Sequence, residues 1–352
     1  MQILQFFRNL FYNHPEGRLR APWRLLIGVF LGLLAFVGAF RTVALYILAL
    51  LLVLATQIPF SAFGNAQQLA QGINAAVNRL PLLVGVRSLI VLSLVGLAFF
   101  LLARWIDRRP WRDYGFHFDA AWWRDLGFGL FLGMVLMGVV FGIEYLLGWE
   151  SIQGTIENGQ PGFPFWQLLV DGLIGYLLVG VREELLFRGF PIKDLAEGLH
   201  LPHISSKAAV LIPYLLISLL FGFAHSLNAN ATLVSSLNLS VIGLLLGLGF
   251  ILTGELAIPI GLHIAWNFAE GYVFGFPVSG SDAHLSLLAT KQAGPAVWTG
   301  GAFGPEGGVM GLVAALLGVL LIYAWVRWVR RRASVQAELA QYSPLQQETT
   351  ST

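Results

Sequence analysis

Apolar residues in this chain fall into long runs, near 25–58, 82–103, 126–148, 166–187, 207–226, 231–252, 256–275 and 308–326. A helix that crosses a bilayer needs about 20 mostly apolar residues, and runs of this kind supply them. The pattern predicts an all-α polytopic membrane protein with about eight transmembrane helices. The first run is long enough for one long helix or for two short passes, and Arg41 interrupts it. Before it, residues 1–24 form an amphiphilic, Arg-bearing lead-in. The run itself is too long for a signal-peptide core, so it is expected to stay as an uncleaved anchor.

Composition removes the soluble alternatives. Of 352 residues, 57% are apolar and 11% charged, where about 25% charged is usual for a soluble domain. So few charges cannot cover a soluble surface, which excludes a soluble globular enzyme, a nucleic-acid binder and a disordered chain. The surplus faces lipid. There is no cysteine, so disulfides, thiolate nucleophiles and Cys-based metal sites are excluded as well.

The net charge of +2 says little, but its distribution orients the chain. With one pass in the first run and a cytoplasmic N-terminus, 17 of the 21 basic residues fall on the inner side. Two passes there would place Arg104, Arg108, Arg109, Arg112 and Arg124 outside, against the positive-inside rule. Eight spans with both termini cytoplasmic, in the cell membrane, is the resulting expectation. Trp105, Trp111, Trp122 and Trp123 beside those arginines read as an interfacial belt, leaving no reason to invoke nucleic acid. GxxxG pairs at Gly28/Gly32, Gly129/Gly133, Gly138/Gly142 and Gly243/Gly247 read as sites of close helix packing.

Ionisable side chains inside spans are costly, and each is a functional candidate by default. They cluster in three places: Glu183-Glu184-Leu185-Leu186-Phe187-Arg188, Phe221-Gly222-Phe223-Ala224-His225 and His263-Ile264-Ala265-Trp266-Asn267. Glu184 and Arg188 are i,i+4 with the acid N-terminal, the favourable order for an ion pair. Glu183 points about 100° away and is expected to be the acid left for chemistry. His263 and Asn267 share one helix face. If the fourth and fifth runs form a hairpin turning near residue 204, Glu183 and His225 lie level, provided the fourth helix continues to about Leu199. The plainer alternative is that both glutamates merely neutralise Arg182 and Arg188.

Two chemistries suit a carboxylate, two imidazoles and a carboxamide. In one, Glu183 takes a proton from a water held by His225, while His263 and Asn267 donate to the developing oxyanion. In the other, His225, His263 and Glu183 hold zinc with an open position for water. The residue types admit both.

Taken together, E-E-x-x-x-R, F-x-x-x-H and H-x-x-x-N resemble the CPBP family of intramembrane proteases. That family includes type II CAAX prenyl endopeptidases, bacteriocin-processing enzymes and Abi proteins. The three motifs stand complete and in order within about 165–276. The resemblance implies a membrane endopeptidase with Glu183 and His225 activating water and His263 and Asn267 around the scissile carbonyl. Glu184 and Arg188 would hold the site together. The cofactor stays open, zinc being the candidate. Around this core lie N-terminal spans over 25–164, an extracytoplasmic Gly-rich loop over 277–307, a last span within 308–333 and a polar tail, 334–352, expected to be disordered. The segment Gly300–Gly308 with Glu306 also looks like one found in a bacterial subset of the family, without an assigned role.

The expected function is intramembrane hydrolysis of a protein or peptide substrate. The competing readings are a proton-coupled transporter using Glu183, His225 and His263 as a relay, and a non-catalytic scaffold or immunity protein. Of the remaining buried polar residues, Asp171 is expected to be a structural hydrogen-bonding group.

Overall fold

The computed structural model describes residues 10–36, 39–56, 71, 81–159, 163–281 and 285–344. Its helices are α1 (Ala21–Phe36), α2 (Ala39–Thr56), α3 (Pro81–Leu101), α4 (Ala120–Leu146), α5 (Phe165–Glu184), α6 (Pro191–Gly198), α7 (Ser206–Ala224), α8 (Leu233–Thr253), α9 (Ala257–Phe268) and α10 (Val309–Arg330). Six helical segments among the described residues are long and apolar enough to cross a membrane: Gly85–Asp107, Ala120–Leu146, Phe165–Gly198, Ser206–Ala224, Leu233–Thr253 and Val309–Arg330. Large apolar side chains such as Phe131, Leu216, Leu316 and Leu320 project from them exposed. Only lipid makes such a surface favourable. The protein is an all-α, multi-pass membrane protein.

Two of the expected spans take another form. The run at 25–58 is split into α1 and α2, with α1 packed on α6 and α2 on α3. The run at 256–275 becomes the 12-residue α9 extended by a π-helical turn, Ala269–Val273. A second π-helical turn, Leu185–Gly189, joins α5 to α6. Pro191 accounts for it, because proline lacks an N–H and its ring collides with the carbonyl four residues back. The chain accommodates this by widening one turn and then continues to Gly198, the length the α5–α7 hairpin requires.

Glycines decide which helices meet closely. A Cβ on Gly129 would lie 2.5 Å from the Ile258 carbonyl oxygen, and one on Gly261 would lie 2.4 Å from that of Leu126. The α4 and α9 backbones therefore touch, which fixes the depth of His263. Gly222 and Gly243 do the same for α7 and α8. Gly142, in contrast, meets nothing within 4 Å among the described residues, so no close helix contact forms there among them.

Three features lie outside the sequence-based picture. Strand β1 (Glu150–Asn158) pairs antiparallel with β2 (Leu285–Gln292), so the expected loop over 277–307 contains a strand. Arg109, expected in an interfacial belt, is instead fully buried and grips Glu197 with two bonds of 2.6 Å. Arg18 and Arg24 join the same network through Glu197 and through Asp107 and Asp194, tying the N-terminal segment to α6. The start of the tail is ordered, correcting the expectation of disorder for 334–344. Gln336 bonds the Ile251 and Leu252 carbonyls, and the Tyr342 ring lies 3.4 Å from the Arg18 guanidinium carbon. Residues 345–352 lie outside the described residues.

Candidate active site

Each of the three motifs contributes to the lining of a single cavity of about 380 Å³, walled among others by Arg182, Glu183, His225, His263, Asn267 and Glu306. Glu183 and Glu184 close α5, His225 caps α7, and His263 and Asn267 sit one turn apart on α9. All but His225 are buried by the surrounding helices, and His225 is only partly exposed.

Glu184 is fully buried and joins the motifs. Its Oε1 accepts from Arg188 Nη1 at 3.0 Å, the expected i,i+4 pair, and lies 2.6 Å from His263 Nδ1. Arg188 Nη2 reaches the Gly243 carbonyl at 3.2 Å, and its guanidinium lies 4.2 Å from the Phe221 ring centroid. One carboxylate and one guanidinium thus bind α5, α7, α8 and α9 together. In a lipid-embedded bundle such bonds replace the hydrophobic drive that holds soluble helices together.

Glu183 is not the unpaired acid that helix geometry suggested. Its Oε1 accepts from Arg182 Nη2 at 2.9 Å. Its Oε2 makes no hydrogen bond among the described residues, and lies 3.8 Å from His225 Nε2 and 4.0 Å from His263 Nε2. At such separations two polar groups can share one water molecule. His225 Nδ1 is 2.8 Å from the Phe221 carbonyl oxygen, which only accepts. That bond places the Nδ1 proton and turns Nε2 toward Glu183.

All six sequence-predicted residues, Glu183, Glu184, Arg188, His225, His263 and Asn267, therefore belong to one constellation. Residues 165–269 match the family model for the type II CAAX prenyl endopeptidase Rce1-like family, and the matched segment holds all six. These residues form an Rce1-like domain. The match supports an intramembrane protease function in general. No curated protein and no solved structure matches the chain.

The Rce1-like domain does not supply the whole cavity. Ser279, Ser281 and Glu306, all beyond residue 269, complete its wall. Ser279 Oγ donates to Glu306 Oε2 at 2.5 Å. Charge inside an apolar chain was the available signal for Glu306, but a Gly-rich loop position gave no reason to place it near His225. Asp171 plays the structural part expected of it, accepting the Gly85 backbone N–H and so joining α5 to α3. Against the domain lies an apolar groove of about 790 Å³, lined by Gly28, Phe187, Phe190, Leu220 and Phe223, which shares Ala224 with the cavity.

Among the described residues, no three of His, Asp and Glu are arranged to hold a metal ion. Each histidine is bonded through Nδ1, His225 to a carbonyl and His263 to Glu184, and both present Nε2 on the Glu183 side, the nitrogen a metal would take.

Proposed function

We propose that this protein hydrolyses peptide bonds with Glu183 as general base. The observation that carries this reading is the position of Glu183 Oε2, buried, without a hydrogen-bond donor among the described residues and 3.8 Å from His225 Nε2. A water between them donates one hydrogen to each, which aims an oxygen lone pair into the cavity. Arg182 on Oε1 fixes the plane of the carboxylate, so the basic oxygen cannot swing away. As water attacks the scissile carbonyl, Glu183 takes its proton, a role that contributes on the order of 10²–10⁴ in rate.

His263 and Asn267 serve the developing oxyanion. Glu184 holds His263 Nδ1, leaving Nε2 to donate into the cavity from the imidazolium form. Asn267 offers its amide from the next turn of the same helix. Donors fixed before reaction need no rearrangement as charge develops. The substrate is a protein or peptide presented at the cell membrane, with both termini of the enzyme cytoplasmic.

The test is purified protein in liposomes with a library of internally quenched peptides. Cleavage by the wild type, lost in both Glu183→Gln and His225→Ala, supports the assignment. Undiminished cleavage by either variant sinks it. Proton-coupled flux without cleavage would favour the transporter reading, and neither activity would favour a scaffold. Metal analysis of the same sample, with chelation and zinc add-back, separates zinc chemistry from side-chain water activation.

A further inference from the structure

Glu306 lies in the turn Pro305–Gly307 ahead of α10, outside the Rce1-like domain, and is buried in the wall of the same cavity as Glu183, His225 and His263. The turn is built to stay there. Gly280 N–H donates to the Phe303 carbonyl at 2.8 Å, and Asn228 Nδ2 donates to that of Ser279 at 3.0 Å. A Cβ on Gly304, whose φ is +101°, would lie 1.9 Å from the Pro277 carbonyl oxygen. That position requires glycine on both counts. The 277–281 segment and the 300–308 turn are thereby locked together, and Ser279 clamps the Glu306 carboxyl at 2.5 Å.

Amide hydrolysis needs two proton transfers, one from water and one to the leaving nitrogen, because an amide anion is too poor a leaving group. Water activation by Glu183 and His225 accounts for the first, and His263 with Asn267 for the oxyanion. Among the remaining titratable groups of the cavity, Arg182 is bonded to Glu183. Tyr176 packs edge-on against Tyr272, and its hydroxyl would lie 3.0 Å from a Cβ on Gly271. Glu306 is the group left over.

We propose that Glu306, held by Ser279, is the general acid that protonates the leaving amine, a role that rests on Glu183 being the water-activating base. In this step the water oxygen bonds to the scissile carbon while Glu183 takes the water proton. The carbon–nitrogen bond then breaks as the Glu306 proton passes to nitrogen. An acid and a free amine leave, and return of the Glu183 proton to Glu306 through solvent resets the site. Glu183, His225 and His263 face Glu306 electrostatically, and the fully buried Glu270 lies against it. Burial pushes the Glu306 carboxyl up from the usual carboxylate range. The Glu183 charge adds to this, and the Ser279 hydroxyl and the His263 imidazolium oppose it.

The experiment compares one internally quenched peptide cleaved by the wild type with the 4-nitrophenyl ester of its acyl half, whose leaving group needs no proton. Glu306→Gln should lower kcat on the peptide by about 10²–10⁴ and ester turnover by no more than about threefold. Equal losses on both substrates would overturn the acid role while leaving Glu183 untouched. Should Glu183→Gln retain peptide cleavage, the base assignment fails instead. The pH profile is an independent readout. Peptide kcat should fall on the alkaline side in the wild type, and that limb should vanish in Glu306→Gln. In Ser279→Ala it should move to higher pH, because a donor that favours the carboxylate is gone. An alkaline limb unmoved in both variants overturns the proposal even if the ester is not a substrate.

Discussion

His263 Nδ1 lies 2.6 Å from Glu184 Oε1, so the third motif is oriented by the first. The same oxygen receives Arg188 at 3.0 Å, and both charged side chains are out of contact with the surroundings. Removing one partner from a buried pair leaves a charge without compensation, at a cost of about 3–5 kcal/mol. Glu184→Ala is therefore expected to lower the unfolding temperature in detergent sharply. His263→Ala should leave stability closer to wild type and lower kcat by about 10²–10³, the usual loss of one oxyanion donor. Equal thermal stability of Glu184→Ala and wild type would contradict the structural role of the carboxylate.

Arg188 does more than neutralise Glu184, since it also reaches the Gly243 carbonyl and lies over Phe221. Lysine cannot reproduce a planar fork that bonds two acceptors while stacking on a ring. Arg188→Lys should lose part of the thermal stability despite keeping the charge. Differential scanning of the two purified proteins measures this.

Close approach of α4 and α9 sets the depth of His263. Gly261→Ala puts a methyl group 2.4 Å from the Leu126 carbonyl oxygen, and overpacking of this kind costs about 1–3 kcal/mol. Both stability and peptide cleavage should fall. Gly142→Ala, where nothing among the described residues lies within 4 Å, should do neither. A Gly142→Ala defect matching that of Gly261→Ala would mean the helix contacts are assigned wrongly.

Gln336 and Tyr342 predict the effect of shortening the tail. Deleting 334–352 removes the Gln336 bonds to α8 and the Tyr342 contacts with Arg18 and the Arg108 carbonyl, and should lower the unfolding temperature.

Burial pushes the Glu150 carboxyl up to about 7, with Thr290 acting weakly against it. A raised acid is protonated more readily in the folded than in the unfolded chain, so its contribution to stability is full below about 4.5, its unshifted value, and is lost as the pH rises through about 7. Wild-type thermal stability should decline across that window more steeply than that of Glu150→Gln. Parallel pH curves for the two proteins would exclude Glu150 as the source.

Sequence alone determined membrane residence, because the length and apolarity of a span are local properties of the chain. It also picked out Glu183, His225, His263 and Asn267, because a polar side chain inside an apolar run is conspicuous wherever the run packs. Even the level pairing of Glu183 with His225 followed from counting residues around the turn near 204. Tertiary structure decided what depends on neighbours far along the chain. It gave Glu183 an Arg182 partner, turned Arg109 inward onto Glu197, ordered the tail on α8 and brought Ser279 and Glu306 into the cavity. A carboxylate on a glycine-rich turn carries no periodic signal, and its chemistry is set by which helix ends the folded bundle places beside it.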